Sequence, residues 1–301
     1  MRFSLPRTLL ALVLVLTLLV PQPVLGWGGE GHHIINRLAI TTLPADVPAF
    51  LRSPTSIKEI EYLGPEPDRW RSRAEPELSS AQAPEHFIDF ELADAIGPLP
   101  HTRLDFEAAV FAHGDRPDKI GLQPWQTVEV WQRLKAALRE YRTLSAAKQD
   151  TLPVEQAVIF YAGWLGHYVG DGSQPLHTTM NYDGWTVKAN PNGYGTGHGI
   201  HSRFETAFVT ANVKAADVER KMTAPQAISG DVFDSYVAYL RHTATQIDAV
   251  YTFDKQGAFD TAVTPESRAF ATECIAVGAS ELRDLIYTAW VQSANPVPDR
   301  F

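Results

Sequence analysis

The sequence predicts a single all-α domain. Three observations predict it. Apolar residues recur every three or four positions over long stretches, which is the period of an amphipathic helix. Alternating patterns of strand length, internal repeats and low-complexity segments are absent. Finally, 45% hydrophobic residues in a chain of 301 are ample for one large buried core.

Residues 1–26 stand apart. Arg2 and Arg7 precede an apolar run from Leu9 to Val20, and a Pro-Gln-Pro break leads to the small-residue site Val24-Leu25-Gly26. This is the pattern of a cleaved secretory signal peptide. A membrane anchor is the competing reading, but an apolar run of about a dozen residues is short for a span of about 20. The expected organisation is therefore a signal at 1–26 and one helical domain at 27–301, exported to the periplasm or medium. Cleavage would take the formal charge from −9 to −11, with 24 basic residues against 35 acidic. Such a chain is a poor passive binder of polyanions, so a polyanionic substrate would need a local reversal of field, as bound dications supply.

The first helix is expected just after Trp27, where Ile34, Ile35, Leu38 and Ala39 fall at helical spacing. Residues 41–67 are Pro-rich and read as short helices and turns. Longer helices follow: one through Val128, Trp131, Leu134, Leu138 and Tyr141, and one from Thr151-Leu-Pro through Val158, Tyr161, Leu165 and Tyr168, ending near Pro175. A single helix is expected from about Asp231 through Phe233, Tyr236, Leu240 and Val250. The last starts at Thr264-Pro265, a cap followed by proline at the first helical position, and runs to Trp290. The only cysteine, Cys274, sits among apolar neighbours and reads as an inert core thiol.

Chemistry concentrates between residues 164 and 205. His167 and Asp171 are four apart on one predicted helix face, and His201 and Glu205 repeat that spacing. His177 follows just beyond Pro175. Imidazole with carboxylate is what zinc accepts as ligands. One such pair alone is more often a surface pair or a satisfied core histidine, whereas two pairs with a fifth donor point to a metal cluster. Asp68 and His86 are upstream candidates to complete a site with His167 and Asp171. An α-amine created at Trp27 deprotonates readily beside a dication and chelates with its own carbonyl, and His32 can fold back onto the same ion.

With these residues in view, the chain resembles the trinuclear-zinc nucleases. The likeness rests on Trp27 at the processed terminus, Glu30-Gly-His32-His33, Asp68-x-x-Arg71, His86-Phe-Ile-Asp-Phe90, HYVGDGSQPLH at 167–177 and IHSRFE at 200–205. That family comprises single-strand-specific enzymes of fungi and bifunctional nucleases of plants, and it shares a fold with bacterial zinc phospholipases C. The resemblance covers about residues 27 to 205. It implies three zinc ions per chain: one on Asp68, His86, His167 and Asp171, a second on His177, His201 and Glu205, and a third on the Trp27 amine and carbonyl, His32 and the bridging Asp171. It further implies that Asp68 orients or deprotonates the attacking water, Arg71 binds a phosphate oxygen, Phe87 stacks a base and Asp89 meets that base's polar edge. The expected function is an endonuclease on single-stranded DNA and RNA that leaves 5′-phosphates and has 3′-nucleotidase activity. Its expected partner is the single-stranded nucleic acid or nucleotide substrate; a monomer without a stable protein partner is expected.

Several residues keep two readings. Phe87 beside Ile88 reads as core or as a stacking platform, and Arg71 as a phosphate ligand or half of a surface ion pair. His33, His101, His113, His198 and His242 fall outside the pattern and read as ordinary surface or core histidines. Residues 181–200 read as an active-site rim, in which Tyr182, Trp185 and Tyr194 supply a second base platform or merely anchor the loop. Glu205, where the nucleases carry aspartate, and Glu30, which resembles a choline-contacting acid, favour a phospholipase C acting on phosphatidylcholine-like lipid. An exported zinc-binding protein without activity is the non-enzymatic alternative. The Trp27-to-His32 spacing, the Asp68/Arg71 pair, HFID and the long gap from His177 to His201 are nuclease-like. A single cysteine and the lack of an Asn-x-Ser/Thr sequon suit a bacterial branch.

Overall fold

The structure is a computed structural model that describes residues 27–297, so the expected signal at 1–26 lies outside the described residues. Among those described, helices dominate and no strand occurs, only an isolated bridge between Tyr182 and Gly184. The all-α expectation holds. In chain order the elements that build the site are α1 (Gly28–Thr41), α2 (Pro54–Leu63), α3 (Glu66–Arg69), α4 (Pro117–Ile120), α5 (Gln123–Ala146), α6 (Leu152–Gly172), α7 (Val232–Ala244) and α8 (Pro265–Gln292).

Helix α6 lies at the centre, against α1, α2, α5 and α8. Its apolar N-terminal face is the one expected, but from Leu165 to Gly172 every position is buried. A helix buried on all sides must find room for its neighbours, and glycines supply it here. At Gly170, for example, a Cβ would lie 2.8 Å from His32 Nδ1 on α1. Buried side-chain hydrogen bonds fix the packing around α6. Gln123 of α5 donates to the Tyr168 carbonyl (2.6 Å), Tyr239 of α7 donates to the Val169 carbonyl (2.8 Å), and Asn36 of α1 donates to the Ile60 and Gly163 carbonyls (2.8 and 3.1 Å).

Helix α8 starts as expected: the Thr264 hydroxyl accepts from Ser267 N–H at 3.1 Å, the Ser267 side chain returns the bond, and Pro265 is the first helical residue. The helix expected from Asp231 through Val250 is instead two, α7 and Ile247–Lys255. At the break, the Thr243 and Thr245 hydroxyls donate back to the Tyr239 and His242 carbonyls. Such back-bonding competes with the helical ladder and bends it. Cys274 is buried on α8, and burial pushes its thiol up to about 12, as fits a core thiol. Among the described residues no helix is long and apolar enough to cross a membrane.

Candidate metal centre

Five short stretches converge at the end of α6. Helix α1 brings His32, whose ring stacks on that of His167 with centroids 4.3 Å apart. The turn Ala83–His86 brings His86, and α3 brings Asp68. Helix α6 itself presents His167 and Asp171 on one face, one helical turn apart. Directly after it, the 3₁₀ turn Pro175–Thr178 carries His177. The last pair straddles two kinds of helix, His201 in Ile200–Ser202 and Glu205 in the π-helical Arg203–Phe208. Single turns of π-helix are rare and often found at functional sites.

Eight of the nine expected ligand residues, all but Trp27, come together. Potential donor atoms of His32, His167 and Asp171, of Asp68, His86 and His167, and of His177, His201 and Glu205 form three buried groups, each within 4.8 Å. A fourth such group, His101 with Asp231 and Asp234, consists of exposed surface residues. Several atoms in the buried groups have no hydrogen-bond partner: both ring nitrogens of His32, both oxygens of Asp68, Asp171 Oδ1 and Glu205 Oε1. Buried polar and charged groups without partners are costly, so converging sets of them fit cations.

The spacing fits zinc as well. Zinc held at 2.0–2.1 Å in a tetrahedron sets its ligands roughly 3.3 Å apart. Around the first site the separations are 2.9 Å (His86 Nδ1 to His167 Nε2), 3.0 and 3.2 Å (those nitrogens to Asp171 Oδ2), and 3.9 Å from each to Asp68 Oδ1. Around the second, His177 Nε2 lies 3.0 Å from His201 Nε2 and 3.6 Å from Glu205 Oε2, and His201 Nε2 lies 2.7 Å from Glu205 Oε2. His167 Nδ1–H donates to the Gly64 carbonyl and His177 Nδ1–H to the His86 carbonyl, both at 2.8 Å. Those bonds leave Nε2 of each ring, once it is neutral, as the atom able to bind a metal.

Electrostatics divide the imidazoles. Burial, with the charge of His167, pushes His32 down to about 4, and burial pushes His86 down to about 3, so both are neutral as ligation requires. For His177 burial is outweighed by the carboxylates of Asp171 and Glu205, which raise it to about 9. Burial alone would raise Asp171, yet His167 and His177 hold it well below the usual carboxylate range. Burial pushes Asp68 up to about 6. Protons and metal ions therefore compete for the same donor atoms.

A cleft of about 350 Å³ opens onto this centre, with His86, His177 and His201 in its lining. Arg71 lines it too, with Nη1 3.8 Å from Asp68 Oδ1, so it faces the site as well as solvent. Phe87 is half-buried on the cleft wall, whereas Ile88 beside it is wholly buried core. Asp89 also lines the cleft, its carboxyl pushed up to about 7 by burial and by Glu91. Of the rim aromatics, Tyr182 is exposed and faces the cleft. Trp185 and Tyr194 instead pack on each other and on Tyr251, anchoring the loop. Trp27 is wholly buried; its indole N–H donates to Ser173 Oγ at 2.7 Å, and its ring meets Phe204 edge-on at 5.3 Å. His198 is exposed against Asp183, outside the three buried groups, and Glu30 is exposed and does not line the cleft.

Sequence reasoning misses several residues around the centre. Gln174 donates to Glu205 Oε2 at 3.3 Å, and its place inside HYVGDGSQPLH is a signal that could have found it. Asp183 accepts from the backbone N–H groups of Gly199 and His201 at 2.7 and 3.2 Å, which sets the second pair's turn. Asp118 and Lys119 line the cleft from α4, and no local motif marks them.

The solved structures similar to this chain include alpha-toxin of an avian strain of Clostridium perfringens (12% identity, TM-score 0.39, 93% of this chain and 67% of that one) and alpha-toxin from Clostridium absonum (16%, 0.38, 91% and 67%). Comparison with the curated proteins finds no match. The S1/P1 nuclease family profile matches residues 27–300, a span that takes in the cluster. The chain belongs to the S1/P1 nuclease family and is a metal-dependent hydrolase of ester bonds.

Proposed function

We propose that the chain, processed to begin at Trp27 and exported, is a zinc-dependent endonuclease on single-stranded DNA and RNA, giving 5′-phosphate products and having 3′-nucleotidase activity. The observation that carries this reading is Phe87, an aromatic face half-buried on the wall of a cleft whose lining includes three imidazoles of the cluster. Paired bases cannot reach such a wall, whereas an unpaired base can leave its stack and lie on it.

The zinc ions would be held by Asp68, His86, His167 and Asp171, by His177, His201 and Glu205, and by Trp27, His32 and Asp171. Bound there, they would acidify a water and neutralise charge on the phosphate and the leaving oxygen. The remaining work falls to the chain. Asp68 would orient the attacking water and take its proton, and Arg71, beside it, would donate to a non-bridging phosphate oxygen. Phe87 would stack the base, and the Asp89 carboxyl would meet its polar edge. The wholly buried positions of His32, His167, Asp171 and Glu205 limit the water that competes for these contacts.

One residue favours a second reading. Glu205 is the acid that zinc phospholipases C carry, whereas Glu30, outside the cleft lining, gives that reading no support. Incubating the mature protein separately with denatured DNA, RNA and a phosphatidylcholine emulsion separates the two. Cleavage of the nucleic acids with 5′-phosphate ends is expected; lipid turnover without nucleic-acid cleavage would overturn the nuclease reading.

A further inference from the structure

Helix α4 is tied to the segment that carries Phe87. Asp89 N–H donates to the Ile120 carbonyl at 2.7 Å, Leu122 N–H to the Pro84 carbonyl at 2.6 Å and Gln123 N–H to the Phe87 carbonyl at 3.2 Å. Gly121 lies between these bonds at φ +97°, and a Cβ there would sit 2.1 Å from the Phe87 carbonyl oxygen. The two backbones therefore touch, and whatever α4 presents is held in fixed relation to the base wall. It presents Lys119, whose side chain is 74% exposed at the mouth of the same cleft. The neighbouring Asp118 is engaged by a two-pronged hydrogen bond from Arg116 at 2.8 and 3.1 Å, and its ion pair with Lys119 Nζ is long, at 3.8 Å, and exposed, so it is weak and open to exchange for a phosphate.

The size of the cleft gives this lysine a role. About 350 Å³ is at the small end of ligand pockets, roughly 300–1,000 Å³, and holds one nucleotide-sized group. A longer strand must leave over the rim. In a chain of formal charge −9, a rim cation is where its next phosphate meets least repulsion. Lysine suits that contact as a mobile point charge that binds phosphate without fixed geometry.

We propose that Lys119 is a specificity-determining residue that binds a backbone phosphate flanking the scissile one, and so favours polymeric single strands over small phosphodiesters. The inference rests on the nuclease reading above. Two measurements test it: kcat/KM for a single-stranded oligonucleotide relative to bis(4-nitrophenyl) phosphate, and the salt dependence of binding to a labelled phosphorothioate oligonucleotide. Lys119→Ala should lower the oligonucleotide-to-diester ratio roughly three- to tenfold and flatten the log–log salt slope by about 0.7, the loss of one phosphate contact. Lys119→Glu should lower the ratio further, and Lys119→Arg should restore it. An unchanged ratio and slope in Lys119→Ala would overturn the inference, as would an equal fall on both substrates, which marks a structural effect. A wild-type protein that leaves every nucleic acid intact would instead overturn the nuclease reading, and the inference with it.

Discussion

The Asp171 carboxylate, wholly buried on α6, meets four imidazoles: His86 at 3.0 Å, His167 at 3.2 Å, His32 at 3.4 Å and His177 at 3.8 Å. In the proposed assignment it is the one side chain shared by two ions. Asp171→Asn keeps the volume and removes the charge, and should cost more than one metal ion per chain and roughly a hundred- to a thousandfold in activity, on the order of what a lost catalytic electrostatic contact costs. Elemental analysis of the purified variant checks it; a full metal complement would contradict the bridging assignment. Away from the cluster, Glu281 on α8 makes a separate residue-scale case. Its Oε1 is buried without a hydrogen-bond partner, and burial with the charge of Asp284 raises its carboxyl to about 7. Because the folded-state pKa lies above the usual value of 4.5, ionisation is harder in the folded chain, and stability is lost as pH rises from about 4.5 through 7. Glu281→Gln should therefore stabilise the protein at pH 8 by on the order of 2 kcal/mol, with the gain vanishing near pH 4.5. Urea midpoints at both ends of that range decide it, and a gain independent of pH would refute the assignment.

At the scale of elements, the contact between α4 and the Phe87 segment depends on Gly121. Gly121→Ala adds a Cβ into the Phe87 carbonyl at a backbone conformation that L side chains avoid. It should cost about 2 kcal/mol of stability and raise KM for single strands, because relieving the clash moves the base wall. Urea unfolding and steady-state kinetics together check this, and a variant with the parental KM would show that the wall is positioned otherwise. The same contact shows what can be read in the sequence and what cannot. His167 with Asp171 is legible because residues four apart on a helix share a face, and Thr264-Pro265 is legible because caps are local chemistry. Lys119 is hidden because backbone hydrogen bonds, which have no residue code, join it to a segment some 30 positions away. The break between α7 and Ile247–Lys255 escapes an apolar period that runs straight through it, since threonine back-bonding decides there. His201 and Glu205 meet at 2.7 Å although one of them sits in a π-helical turn, so correct spacing gives the right contact without revealing the backbone that makes it.

At the scale of the whole molecule, segments far apart in the sequence close the centre around Trp27. Trp27 is wholly buried, held by Ser173 just beyond α6 and by Phe204 of the π-helical turn, 146 and 177 positions away. Its carbonyl accepts Gly31 N–H at 3.2 Å, which leaves a second lone pair for another partner. An amide nitrogen joined to a preceding residue is a poor ligand, since its lone pair is delocalised into the carbonyl; a free amine at that position is a good one. The third metal of the proposed function thus depends on processing, and this dependence can be separated from misfolding. A chain carrying one extra residue before Trp27 keeps all the core contacts of the indole and keeps Asp68, His86, His167, His177, His201 and Glu205 unaltered. It should fold with parental helicity and retain two zinc ions while losing the third, and with it most of the activity. Circular dichroism, elemental analysis and a nuclease assay on the same preparation test all three parts, and three zinc ions with full activity would refute the terminal amine as a ligand.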